Sequence, residues 1–71
     1  MNKDSEIIFL IEESAEGGYQ ARALGESIFT EAENMLELKQ NVKEAVLTHF
    51  EEGQHPPVIR LHFVKEELMK I

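Results

Sequence analysis

The stretch from Asn34 to Gly53, NMLELKQNVKEAVLTHFEEG, constrains the fold of this chain more than any other. Met35, Leu38, Val42, Ala45, Val46, His49 and Phe50 recur at helical spacing and share one face of a helix. Glu37, Gln40, Asn41, Lys43, Glu44 and Glu51 fall on or near the other face. Asn34 can cap by accepting a backbone N–H of the first turn, and Glu37 stands three residues on to bond back, which makes a capping box. Gly53 lies just past the last periodic residue, where a left-handed C′ position favours glycine, and Pro56 and Pro57 forbid continuation. Burying Leu38, Val42, Val46 and Phe50 would contribute roughly 1.5–3 kcal/mol each. Such a stripe needs a surface to lie on.

Four strand-like segments supply that surface. Glu6 to Glu12, EIIFLIE, is rich in β-branched and aromatic residues, with Ile7, Phe9 and Ile11 on one face and Ile8 and Leu10 on the other. Two apolar faces predict a central strand. Glu13 to Gly18 is turn material, after which Tyr19 to Leu24 alternates Tyr19, Ala21 and Ala23 against Gln20, Arg22 and Leu24. The small alanines let a helix lie close over the sheet. Gly25-Glu26 is a second tight turn, and Ser27 to Ala32 forms a third strand with Ile28, Thr30 and Ala32 on one face. These connections are too short for crossovers, so the three strands form an antiparallel meander. Gln54 to Pro57 links the helix to a fourth strand, Val58 to Val64, in which Ile59, Leu61 and Phe63 alternate with Arg60 and His62. Met1 to Asp4 reads as a frayed lead-in, and Lys65 to Ile71 as a short helical turn whose Leu68, Met69 and Ile71 dock on the domain or on a second copy. The expected fold is therefore α+β, a two-layer βββαβ sandwich forming one domain over residues 1–71.

A chain of 71 residues buries only about 60% of its unfolded surface and is marginal alone. With no cysteine, disulfides and thiolate metal sites are excluded, and self-association is the expected aid. The open second sheet face, with Ile8, Leu10 and Leu24, points to a dimer. Seven Lys and Arg against fourteen Asp and Glu give a formal net charge of -7. That balance disfavours nucleic acid and anionic membranes as partners and allows a basic protein. The opening MNKDSE has no signal-peptide character, and the longest apolar run, Ile7 to Ile11, is too short to span a bilayer, so a cytoplasmic protein is expected.

Candidate chemistry is sparse. His49, His55 and His62 fall on the helix, the linker and the last strand, without the spacing of a metal pair; His49 reads as a partly buried packing residue with one satisfied nitrogen. The acids cluster as Glu12/Glu13, Glu31/Glu33 and Glu51/Glu52, and adjacent acids on a strand point to opposite faces. Ser5, Ser14 and Ser27 lack the context of an activated nucleophile, Gly17-Gly18 does not extend to a dinucleotide fingerprint, and Arg22 and Arg60 read as cations paired with glutamates. Neither catalytic residues, cofactor nor metal are expected.

Gly18-Tyr19 and Ala21 on the second strand, Leu24-Gly25 in the turn, Asn34 at the cap, and Glu37, Asn41 and Ala45 on the helix resemble the HicB-like antitoxin family over about Ile7 to Phe50. The turn lacks the proline and cysteine of the family's pattern, and Asn34 stands where the family has threonine. The resemblance implies a partial RNase-H-like βββαβ domain that masks a small basic RNA-cleaving toxin of the HicA type. The family's DNA-binding segment has no counterpart up to Ile71, so the likeness is to short stand-alone HicB-like domains without operator binding. The expected role is a non-enzymatic interaction module that self-associates and contacts a basic partner through Glu16, Tyr19, Arg22, Glu26 and Glu31, taken for exposure and charge. The alternatives are a small metal-dependent nuclease-like enzyme on the same sheet, or an accessory subunit of a larger enzyme.

Overall fold

The computed structural model describes residues 5–71, and the expectation for Met1 to Asp4 lies outside them. Five elements follow in the order β1 (Glu6–Glu13), β2 (Tyr19–Ala23), β3 (Phe29–Ala32), α1 (Met35–His49) and β4 (Val58–Phe63). The sheet runs β3-β2-β1-β4, with β1/β2 and β2/β3 antiparallel and β4 parallel to β1. The architecture is the α+β arrangement expected, a four-stranded mixed sheet with one helix across one face.

β1 is central, as its two apolar faces predict. Ile7, Phe9 and Ile11 are buried on the helix side, and Ile8 and Leu10 are half-buried on the other. The register sets Phe9 opposite Ala23 and Leu61, and Ile11 opposite Ala21 and Phe63. Leu38, Val42 and Val46 close over this row, and with Ile28 they complete the core. Alanines at 21 and 23 offer the helix little to climb over, so α1 packs nearest β2 and β3 and leaves the β4 side of the layer uncovered.

The helix begins as the sequence dictates. Asn34 Oδ1 accepts the Glu37 N–H at 2.8 Å, whereas Glu37 Oε1 reaches back one residue further than a standard capping box, to the Glu33 N–H at 3.2 Å. Its end differs from the expectation. The last helical residue is His49, and Phe50 is an extended C-cap whose N–H still bonds the Val46 carbonyl at 3.2 Å. Extending there turns the half-buried Phe50 ring back onto the core. Gly53, at φ 79°, serves a separate turn closed by Gln54 N–H to the Glu51 carbonyl, not the C′ position of the helix.

Three other expectations are corrected. β3 starts at Phe29, because the Ile28 carbonyl accepts the Ala23 N–H within the β2–β3 connection while its side chain fills the core. On β4, Ile59 and Leu61 are half-buried but Phe63 is 55% exposed, since no helix reaches over that strand. Lys65 to Ile71 forms no helical turn. The segment runs without regular structure, and Leu68 and Met69 are 94% and 84% exposed, so it does not dock on its own domain.

The β1–β2 turn makes one sharp demand. Gly18 has φ 84°, and a Cβ there would lie 2.6 Å from the Ala32 carbonyl oxygen, where Tyr19 and Ala32 pair at the strand end. Its neighbour Gly17 has φ 97° but open space around it. Gly18→Ala is therefore expected to cost about 2–4 kcal/mol, backbone strain plus displacement of β3, against about 1–2 kcal/mol for Gly17→Ala, which meets strain alone. Urea denaturation of the two variants measures the difference; equal losses would show that the close approach to Ala32 is relieved at no cost.

Candidate functional site

The turn that requires Gly18 also assembles a strongly acidic surface. Ser14 accepts the Gly17 N–H at 3.0 Å through its carbonyl and the Glu16 N–H at 3.3 Å through Oγ, which folds Glu16 back over the strand ends. The pairing of Tyr19 with Ala32 and of Gln20 with Glu31 brings the end of β3 alongside. The chain then enters α1 through Glu33, whose N–H holds Glu37 in place. The result is a shallow hollow lined by Glu16, Glu31, Glu33 and Glu37 around Tyr19, with Ser14, the two glycines and Ala32 between them. Among the described residues no lysine, arginine or histidine lines it. Lying at the N-terminus of α1, where the backbone dipole is positive, eases the crowding of Glu33 and Glu37.

Three of the five residues expected to contact a partner, Glu16, Tyr19 and Glu31, thus meet in one place. Tyr19 is not freely exposed as expected; it is half-buried and packs against the core while also lining the hollow. The other two lie elsewhere. Arg22 stands mid-strand on the open sheet face, opposite Leu10 and Phe29, and among the described residues it has no ion-pair partner, contrary to the expected pairing with a glutamate. Glu26 sits in the β2–β3 connection at the far end of α1, 3.0 Å from Nε2 of His49. That contact satisfies one ring nitrogen of His49, as expected, but the residue is exposed and set edge-on to Phe50 and is not part of the buried stripe. Glu33 and Glu37 were missed. Their signal was the spacing of one helical turn across the cap, and Glu31 and Glu33, two apart, line the same hollow instead of diverging.

The remaining charges are structural or dispersed. Arg60 on β4 grips Glu6 on β1 through Nε at 3.1 Å to both oxygens and through Nη2 at 2.9 Å, and the hydrogen bond, then the charge, of Glu6 raises the Arg60 pKa above its ordinary value. His49, His55 and His62 stand on α1, the linker and β4. Among the described residues no three His, Cys, Asp or Glu side chains are grouped so as to hold a metal ion, and no helix is long and apolar enough to cross a membrane.

Like charges in the hollow repel one another. Glu16→Gln with Glu31→Gln is expected to raise stability by about 0.5 kcal/mol at low ionic strength, with the gain disappearing at high salt. Denaturation midpoints at the two salt concentrations test this; a loss of stability would mean that these carboxylates make attractive contacts in the fold.

Over 66 residues the chain is 39% identical to a UPF0150 protein of Thermotoga maritima, covering 93% of each chain. It is 60% identical over 50 residues to a UPF0150 protein of Archaeoglobus fulgidus, covering 70% of this chain and 74% of that one. No family model matches the chain, and no solved structure matches it.

Proposed function

The chain belongs to the UPF0150 protein family, and from that premise we propose that it is a non-enzymatic interaction module whose acidic end binds and masks a small basic protein, as HicB-like antitoxins mask RNA-cleaving toxins of the HicA type. The observation that supports this most is the hollow itself, four glutamates around one tyrosine with no cation among the described residues that line it. Carboxylates in such a group accept bidentate bonds from arginine and point-charge contacts from lysine. Tyr19 offers a large, partly fixed ring of the kind that anchors protein interfaces, with little rotamer freedom left to lose on binding. The net charge of -7 extends the attractive field beyond the contact and steers a basic partner toward the domain. The likeness of Gly18-Tyr19, Asn34 and Glu37 to the HicB-like pattern falls on this same turn and cap.

The test mixes the purified protein with a small basic ribonuclease of the HicA type and follows RNA cleavage at low and high salt. Stoichiometric inhibition is expected at low salt, weakened about tenfold by high salt and by a Glu16→Gln, Glu31→Gln and Glu33→Gln variant. Absence of a complex at low salt, or inhibition untouched by the three substitutions, would contradict the proposal.

A further inference from the structure

The helix leaves a groove on the opposite flank of the molecule from the acidic hollow. Because α1 packs nearest β2 and β3, the core-side face of β4 has no cover, and Val46 and Leu47 of α1 face Ile59 and Leu61 of β4 across an apolar channel. Lys39 and Lys43 form its rim on the helix side. Leu47 is 49% exposed, and β4 is an edge strand, paired only with β1. The chain also carries an apolar segment with nothing to pack on: Lys65 to Ile71, KEELMKI, where Leu68, Met69 and Ile71 stand in solvent behind Glu66 and Glu67.

We infer that this groove receives the Lys65–Ile71 segment of a second copy, and that two copies exchange these segments to form a dimer. Composition supports the match on both counts. The apolar residues of the segment fit the channel floor, and its adjacent acids Glu66 and Glu67, flanked by Lys65 and Lys70, fit the two lysines on the rim, in a molecule where lysine and arginine are outnumbered two to one. Direction argues for exchange over self-docking. The segment departs beyond Val64, whose N–H bonds the Ile11 carbonyl at 2.9 Å, while the groove extends the other way, toward Pro56 and Pro57 at the start of β4. To enter its own groove the chain would have to reverse within Val64 to Glu67, a stretch with no glycine, proline, asparagine or aspartate to make the turn. The open sheet face is the weaker candidate for an interface. Its apolar residues Leu10, Leu24 and Phe29 are interrupted by Arg22 and by the Arg60–Glu6 pair. The inference is independent of what the acidic end binds.

Charge reversal in mixed pairs tests it. Sedimentation equilibrium of the full chain is expected to give a monomer–dimer equilibrium. The variant Lys39→Glu with Lys43→Glu, and separately Glu66→Lys with Glu67→Lys, should each weaken the dimer about tenfold, since the rim pair and the 66–67 pair then carry like charge. All four positions are exposed, so neither variant should lose the fold, which circular dichroism checks. Mixing the two variants should restore a heterodimer, because each rim pair again meets a 66–67 pair of opposite charge. A chain that stays monomeric at all concentrations would overturn the inference. So would a dimer indifferent to both reversals, which would move the interface to the open sheet face, or a mixture that forms no heterodimer.

Discussion

Everything in this molecule depends on the burial of Phe9 and Ile11 of β1 beneath Leu38, Val42 and Val46 of α1. These five are the largest fully buried side chains, and β1 pairs on both edges, joining β4 to the β2–β3 hairpin. Without cysteine or a grouped metal site among the described residues, the apolar contact is what holds helix to sheet. Each of these side chains is worth roughly 1.5–3 kcal/mol on burial, so the row is comparable to the whole net stability of a small domain.

A core this small cannot cover every flank of a four-stranded sheet. One helix of fifteen residues shelters β2 and β3, where alanines allow close approach, and leaves β4 bare. The surfaces left over differ in chemistry. At the start of the helix the turn around Gly18 gathers carboxylates; along its flank Lys39 and Lys43 border an apolar channel. A basic partner and a segment carrying Glu66 and Glu67 would thus engage different sides without competing.

Much of the fold was legible because its signals are local. The helical period, the Asn34 cap, the two-faced β1 and the alanines of β2 each act within a few residues and agree with one another. What sequence could not supply was set by distant contacts. The helix ends at His49 because Phe50 turns back onto the core, which periodicity alone continues through. Phe63 fits an alternating strand, but its exposure depends on where the helix lies across the sheet. The site was half legible for the same reason. Choosing acids for exposure and charge found Glu16 and Glu31, yet only the Tyr19–Ala32 pairing places them together, and only the length of α1 separates them from Glu26. Glu37 read as a capping residue and Glu33 as one of a pair of acids, and both are also part of the surface.

Native-state hydrogen exchange on a dilute sample tests most directly the claim that one small core carries the fold and leaves its flanks free. The account predicts that the amides of Phe9, Ile11, Val42 and Val46 exchange together and slowest, with the free energy of global unfolding, while Lys65 to Ile71 exchanges as an unfolded chain does. Protection of Lys65 to Ile71 under monomeric conditions, or faster opening of β1 than of β4, would contradict it.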